Sequence, residues 1–486
     1  MLTQMKRFSR PRLSRPLGAL AGVLALCALA AAPPPSAAGK EPGNPARRAY
    51  VVVLADDAGD PAAAAARLNR RYGAGAAATA VYRHALRGYA ARLTRDEAAR
   101  LRTDPAVRTV SPTRTYRTAP PAHRRAVDCR VATGPGQCLP EWADRIDAER
   151  SSARSGDGRG VVTGVNVAIL DSGIEGGHPD LDVRGGADCL SGSPVVPGAS
   201  MVVGDPHGTE AAGVVAAKDN GTGIVGVAPG APLWAVKVFP DDASGTSDDT
   251  VLLCGLDWIV STRTDQDPGN DIHVVNMSLT TTEDGRADTD DGACGAVDGD
   301  TVHMAVCAAA RAGITLVAAA GNDNVDLARH APAAYQEVLT ATAMTDFDGR
   351  PGARANPDCY GADYGFFGEQ DDQATLEFSN FVRKREDRLH TVSAPGVCVL
   401  TTSSEAAGSY AAVDGTSFAA PAAAGTAVLC LAYGPCDAAT PLENVRILTD
   451  DARRYQRAHP AYGFEGDDRS PFPGRGYGPL IHAGSY

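Results

Sequence analysis

The chain has 486 residues, 44% of them hydrophobic and 21% charged, with a formal net charge of −12, so it can bury a large core, has room for more than one domain and is not a disordered chain. The charge is divided unevenly, because the first 125 residues are strongly basic and the remainder is more acidic than the total; the two parts are expected to attract one another. An acidic body argues against nucleic acid as a partner, since phosphate binding needs a basic face.

In chain order, Lys6, Arg7, Arg10, Arg12 and Arg15 precede a small and apolar run from Leu17 to Ala32, and A-x-A-like sites lie near Ala30–Ala32 and Ser36–Ala38. This is the layout of an export signal, expected over residues 1–38. The run is too short and too rich in Ala and Gly for a membrane span, and no later stretch approaches the length of one. The mature protein is therefore expected to be secreted, extracellular, soluble and monomeric, with no membrane contact after signal removal. Cys27 follows Leu26 rather than a small residue, which argues against a lipid anchor. Without Cys27 the cysteine count is even, and in an exported chain that argues for disulfides. Pairing between sequence neighbours is expected: Cys129–Cys138, Cys189–Cys254, Cys294–Cys307, Cys359–Cys398 and Cys430–Cys436. None forms a C-x-x-C pair, against a zinc cluster.

Residues 47–118 alternate compactly. Tyr50–Leu54 reads as a strand, Pro61–Arg71 as an Ala/Arg-rich helix and Ala80–His84 as a strand. Thr94–Arg102 reads as a helix capped by Thr94 with Glu97 three residues on, and Val107–Val110 as a last strand. With Arg87-Gly88-Tyr89-Ala90-Ala91 before the second helix and Pro105-Ala106-Val107 before the last strand, this small α+β unit resembles the inhibitory propeptide of subtilisin-like proteases. Residues 119–141 are rich in Pro, Ala, Arg and Gly, include Arg124-Arg125, and read as an exposed linker suited to cleavage between about Arg117 and Arg125.

From Trp142 onward, over residues 142–486, strands alternate with helices, the pattern of an α/β fold with a mostly parallel sheet flanked by helices. Strands are expected at Val165–Leu170, Leu233–Phe239, His273–Met277, Thr315–Ala319, Val338–Ala341 and Thr391–Ser393. Helices are expected at Thr209–Ala217, Thr250–Val260, Val302–Ala312, Ser417–Leu431 and Glu443–Tyr455. Pro421 is read as falling early in its helix, where a missing N–H costs least.

Three short motifs carry chemistry. Asp171-Ser172-Gly173 follows a strand, His207-Gly208-Thr209 opens a small-residue helix, and Ser417, in Gly415-Thr416-Ser417-Phe418-Ala419-Ala420-Pro421, opens another. A hydroxyl needs a base to become a nucleophile, an imidazole titrates in the range to serve as one, and a carboxylate holds the imidazole tautomer. The order Asp, His, Ser, with Ala320-Gly321-Asn322 after a buried strand, resembles the subtilisin-like serine proteases from about Trp142 to the C-terminus.

That resemblance implies catalysis by Asp171, His207 and Ser417, an oxyanion hole using Asn322, and hydrolysis of protein or peptide substrates by a self-processing endopeptidase inhibited by its own propeptide. It also implies that an extended peptide adds between Ser278-Leu279-Thr280 and Ala319-Ala320-Gly321. Thr280 and Thr281 stand where the family often has glycine and are expected to narrow that side. Acidic residues Glu283, Asp284, Asp288, Asp290 and Asp291 follow in an insertion, and a second insertion spans about Phe347–Leu376. No cofactor is required for the chemistry. Asp180 and Asn220 match positions of a family calcium site, with Asp/Asn turns as the alternative, while His178, His273, His303, His330 and His390 read as structural. A catalytically silent binding protein on the same fold would lack a triad member, and none is lost; a lipase-like esterase would want G-x-S-x-G and the order Ser, Asp, His, which this chain does not have.

Overall fold

Strongly β-prone Val51-Val52-Val53 and the two capped helices that follow it organise the first domain of the computed structural model. The structure describes residues 46–486 apart from 73–76, 119–123, 127–131, 135, 196–202, 242–244, 283–289, 353–354 and 356–370, with backbone alone at 124–126 and 132–134. The expected signal, Cys129 and Cys359 lie outside the described residues. Elements β1 (Arg48–Leu54), α1 (Pro61–Arg71), β2 (Ala80–Tyr82), β3 (Gly88–Leu93), α2 (Arg95–Leu101) and β4 (Val107–Pro112) follow in order, and the strands form an antiparallel sheet ordered β2-β3-β1-β4.

Asp60 caps α1 through the Ala63 N–H at 2.9 Å. Thr94 and Glu97 cap α2 reciprocally, at 2.8 and 3.2 Å, the capping box read from the sequence. Strand β3 is an addition to the expected elements. Its Gly-Tyr-Ala-Ala has weak strand propensity, and pairing with β1 together with burial on both faces makes it a strand. Alternation along β1 sends Val52 and Leu54 toward the two helices, while Val51 and Val53 join a cluster shared with the rest of the protein.

The chain continues through β5 (Thr115–Thr118), β6 (Arg124–Ala126), β7 (Ala132–Gly134), β8 (Gln137–Cys138) and α3 (Glu141–Arg145). The main body then runs β9 (Asn166–Asp171), β10 (Val183–Asp188), α4 (His207–Ala216), β11 (Gly223–Ile224), β12 (Leu233–Lys237), β13 (Thr246–Asp248) and α5 (Asp249–Thr262). After these come β14 (Ile272–Met277), β15 (Leu279–Thr281), α6 (Thr301–Arg311), β16 (Thr315–Ala319), β17 (Val338–Met344), β18 (Thr391–Pro395), β19 (Val399–Ser403) and β20 (Ser409–Val413). Helices α7 (Thr416–Tyr433) and α8 (Pro441–Ala458) close the series.

Seven strands form one parallel sheet in the order β10-β12-β9-β14-β16-β17-β18. Along β9 the alternation divides its two faces: Val167 and Ile169 pack with α4 and α7, whereas Ala168 and Leu170 pack with α5, α6 and the first domain. Burial on both faces explains the continuous apolar runs that make these strands legible. Strand β10 is a further addition; it is a Gly-containing edge strand paired only with β12 within this sheet, and without a second partner it needs no apolar run. Helix α7 corrects the reading that nothing after the signal is membrane-span-like, since it is long and apolar enough to cross a membrane by length and composition. It is apolar all round because the core encloses it. Of the expected disulfides, Cys189–Cys254, Cys294–Cys307 and Cys430–Cys436 are formed; Cys138 and Cys398 are also disulfide-bonded.

Helix α3 is anchored at both ends of its short span. The Trp142 indole donates to the Leu400 carbonyl at 2.9 Å. Arg145, fully buried, meets Asp346 at 3.0 Å and Asp372 at 2.7 Å, and donates to the Tyr462 carbonyl at 2.9 Å. One arginine thus ties the entry of the main body to the loop after β17 and to the segment after α8. Removing it leaves two buried carboxylates without a cation, at a cost of about 3–5 kcal/mol. Arg145→Ala should therefore lower the urea midpoint of the Ser417→Ala chain by the equivalent amount, and an unchanged midpoint would contradict this role.

Candidate active site

Asp171 is the last residue of β9 and His207 the first of α4. The His207 Nδ1 lies 2.8 Å from Asp171 Oδ1, and the Ser172 N–H donates to the same oxygen at 2.7 Å. So close an approach depends on Gly208, since a Cβ there would fall 2.2 Å from the Gly173 carbonyl oxygen and 3.1 Å from the Asp171 Cβ. His207 is buried, which by itself would lower its pKa; the adjacent Asp171 charge and hydrogen bond, with Asp205 and Glu210 nearby, outweigh burial and hold it above 6.5.

Ser417 is the second residue of α7, and the ring of the next residue, Phe418, lies 5.5 Å from the His207 ring. The two helix starts therefore meet. Pro421 is not where the sequence reading put it; it is the sixth residue of α7, inside the helix, so it cannot donate to the carbonyl four residues back, which is that of Ser417. Ser278 Oγ makes up the loss, donating to the Ser417 carbonyl at 2.6 Å, and is itself held by Asn276 Nδ2 at 2.9 Å. The Ser417 hydroxyl faces the Ser278 carbonyl at 3.4 Å.

Asn322 follows β16, and its Oδ1 accepts from the Thr416 N–H at 3.0 Å and the Thr416 hydroxyl at 2.6 Å. With that oxygen engaged, the amide nitrogen is left toward the turn before Ser417. A Cβ on Gly415 would come within 3.1 Å of it, and Gly415 has φ +147°, so the turn requires glycine.

Strand β5 lies antiparallel between β13 and β15, with Thr118 opposite Leu279, Arg117 opposite Thr280 and Thr246, and Tyr116 opposite Thr281 and Ser247. Beyond the undescribed residues 119–123, β6 pairs with β20, Arg124 opposite Val413. Of the two edges expected to hold a peptide, Ser278-Leu279-Thr280 adjoins this strand, but Ala319-Ala320-Gly321 does not pair with it. The Ala320 N–H donates to the Ala341 carbonyl, and Asn380 donates to the Ala320 and Gly321 carbonyls at 2.8 and 2.9 Å. On its other side β5 pairs with Thr246-Ser247-Asp248.

Thr280 and Thr281 are buried, with Thr280 Oγ1 3.0 Å from His330 Nδ1 and Thr281 Oγ1 accepting the Ala331 N–H at 3.1 Å. Glu283, Asp284 and Asp288 lie outside the described residues. Asp291 instead folds its loop by accepting four backbone N–H groups, from Ala293, Gly295, Val297 and Asp298.

Asp180 and Asn220 are brought together, with Asn220 Nδ2 3.5 Å from Asp180 Oδ1, and Asp180 Oδ2 accepts from Ile224 N–H and Tyr410 Oη at 3.0 and 3.2 Å. Burial raises the Asp180 pKa to about 6, against the pull of these hydrogen bonds. Gln137, which the sequence does not single out, completes the cluster: its Oε1 accepts the Gly221 N–H at 2.7 Å and its Nε2 reaches the Lys218 carbonyl at 3.0 Å. One buried carboxylate, two side-chain amides and the Lys218 and Ile224 carbonyls thus lie in one hydrogen-bonded cluster whose oxygens are of the kind a hard cation takes.

The subtilase family matches residues 162–464, and the peptidase inhibitor I9 family matches residues 49–119. The chain belongs to the subtilase family. It is a subtilisin-type serine peptidase with an inhibitor-type propeptide domain. Among its relatives, this subtilase is 32% identical to subtilisin DY of Bacillus licheniformis over 312 residues, 63% of this chain and 90% of that protein. It is 30% identical to a thermostable alkaline protease of Halalkalibacterium halodurans over 339 residues, covering 70% and 71% of the two chains. Its fold is similar to that of fervidolysin from Fervidobacterium pennivorans, a keratinolytic enzyme related to subtilisin, with a TM-score of 0.61 and 20% identity. That match takes in 91% of this chain and 61% of fervidolysin.

Replacing Ser278 with alanine leaves the Ser417 carbonyl buried and without its donor, at a cost of about 1–3 kcal/mol. Ser278→Ala should therefore destabilise the fold by that amount in urea unfolding of the Ser417→Ala chain. A midpoint equal to that of Ser417→Ala alone would mean that the helix start tolerates loss of the Ser278 hydroxyl.

Proposed function

We propose that this subtilase is a secreted, self-processing serine endopeptidase in which Ser417 is the nucleophile, His207 the general base and acid, and Asp171 the group that orients and stabilises the imidazolium. The observation that supports this reading is the pairing of the chain's own β5 between β13 and β15, next to Ser278, whose hydroxyl and carbonyl meet Ser417, as a peptide substrate would lie. The cut falls between Thr118 and Arg124. On release, residues 47–118 are the intramolecular inhibitor: β5 fills the groove between β13 and β15 by main-chain pairing, and Asp257 of α5 accepts the N–H groups of Arg83, His84 and Ala85 at 3.0, 2.6 and 2.8 Å.

In the first step the Ser417 hydroxyl adds to the scissile carbonyl carbon as its proton passes to His207 Nε2. The tetrahedral oxygen then takes hydrogen bonds from the Asn322 amide and the Ser417 N–H, at the positive end of α7. His207 returns the proton to the leaving amine, and water repeats the sequence on the acyl-enzyme. The base must be neutral to act, and its pKa lies above 6.5. The kcat/KM for a peptide should therefore fall about tenfold per pH unit below an apparent pKa higher than 6.5. Asp171→Asn removes the charge that raises it, so the apparent pKa should move down and the rate drop by about 10⁴; an unshifted profile would contradict the pairing.

Asn322→Ala should lower kcat by about 10²–10³, the range established for the equivalent donor in a subtilisin, with KM little changed. A larger effect on KM would assign Asn322 to substrate binding. N-terminal sequencing of secreted parent and Ser417→Ala chains tests self-processing. The parent should begin between residues 119 and 124, and the variant should keep its propeptide; identical processing of both would assign the cut to another protease.

Asp180, Asn220 and Gln137, with the Lys218 and Ile224 carbonyls, are proposed to hold a structural calcium ion that neutralises a buried carboxylate. Calcium content should then be lower in Asp180→Ala than in the parent, and equal content would remove this site.

A further inference from the structure

Among the described residues of the propeptide, Arg114, between β4 and β5, is the most deeply buried paired cation. Its Nη1 and Nη2 each lie 2.5 Å from one oxygen of Asp300, in the two-pronged geometry that a guanidinium makes and an ammonium cannot. Its Nε lies 3.4 Å from Asp249 Oδ1, and the Tyr335 hydroxyl lies 3.4 Å from Nη1 while donating to Asp300 Oδ2 at 2.7 Å. The Arg114 backbone is also held at two points: its N–H donates to Asp249 Oδ2 at 3.2 Å, and its carbonyl accepts the Asp249 N–H at 3.3 Å. The Tyr116 ring, two residues on, stands 5.6 Å from the guanidinium.

The Asp300 carboxylate does not depend on Arg114 for its position. Asp300 caps α6, accepting the Val302 and His303 N–H groups at 3.1 Å, and Asp249 is the first residue of α5. Burial would raise the acid pKa of Asp300, but Arg114, Tyr335 and the helix N–H groups together hold it below the usual carboxylate value. When the propeptide leaves, Asp300, fixed by the start of α6, and Asp249, the first residue of α5, remain at the far end of the groove between β13 and β15 without their cation. Buried carboxylates in that state gain from a new cation.

We propose that Asp249, Asp300 and Tyr335 form a guanidinium subsite of the mature protease, selecting peptides that carry an arginine four residues before the position Thr118 occupies. Resting on the reading of β5 as a substrate-like strand, it makes the enzyme selective at a distance from the cut. Arginine-bearing extended segments are its preferred substrates and inhibitors, with an aromatic residue favoured two positions after the arginine. The bond hydrolysed is the same; the added contacts act on binding of the extended chain.

The test uses mature protease, released from the full chain, on quenched peptides of the sequence 112–124 carrying arginine, lysine or citrulline at the position of Arg114, with casein as a general substrate. Citrulline keeps the shape and loses the charge. The arginine peptide should exceed the citrulline peptide in kcat/KM on the order of tenfold or more, with lysine between them. In Asp300→Asn, where asparagine still caps α6, the arginine-to-citrulline ratio should collapse toward one. Cleavage of casein with equal rates on the three peptides, or with no cleavage of the arginine peptide, overturns the subsite alone. Failure to cleave casein as well overturns the protease reading and the subsite with it.

Discussion

The shared direction of seven parallel strands is the constraint on which this molecule depends. Every strand of the sheet ends at one edge, so the loops leaving β9, β14 and β16 all emerge there and present Asp171, Ser278 and Asn322. Helices α4 and α7 return on one face with their positive ends at the same edge, carrying His207 and Ser417 in their first turns. Close approach then depends on small groups: Gly208 lets α4 press against β9, and Gly415 leaves room for the Asn322 amide. Pro421 breaks one helical bond under Ser417, and Ser278 restores it from another loop, so the Ser417 backbone is tied to the segment that leads into β15, the neighbour of β5.

The opposite face of the sheet serves the propeptide. Helices α5 and α6 offer it an apolar surface, into which Val51, Val53, Tyr82 and Tyr116 are packed, and their acidic ends and sides hold it in register. The opposed charges of the two halves of the chain meet where Arg117 pairs with Asp323 and Arg114 enters the Asp249–Asp300 pair, while Asp257 gathers three backbone N–H groups. Paired charges buried in this way fix one arrangement, because any shift leaves an uncompensated charge out of water.

Much of this is legible in the sequence where local chemistry and tertiary role agree. The core strands read as apolar runs because both their faces are covered, and the motifs around Asp171, His207 and Ser417 stand out because glycine and small residues are needed beside each. Elsewhere the local pattern is silent. Thr246-Ser247-Asp248 has no apolar alternation and becomes a strand only because the chain's own tail pairs with it. Gln137 sits in a Pro/Gly-rich stretch, and only the fold brings it to Asp180. Arg114 looks like any other arginine of a basic segment, and its partners, more than a hundred residues away, are helix-end aspartates that read as caps. Pro421 reads as an early helix residue because the expected start, Ser417, lies one residue after the actual one, which depends on Gly415, whose backbone conformation no periodicity reveals.

The central claim is that Ser417 is a nucleophile activated by His207. The most direct measurement is peptide mapping by mass spectrometry after the mature protein is treated with a fluorophosphonate, which reacts with activated serines. The account predicts one adduct, on the peptide containing Ser417, with labelling strongly slowed in His207→Ala. A protein that takes up no label, or takes it up on another serine, would contradict it.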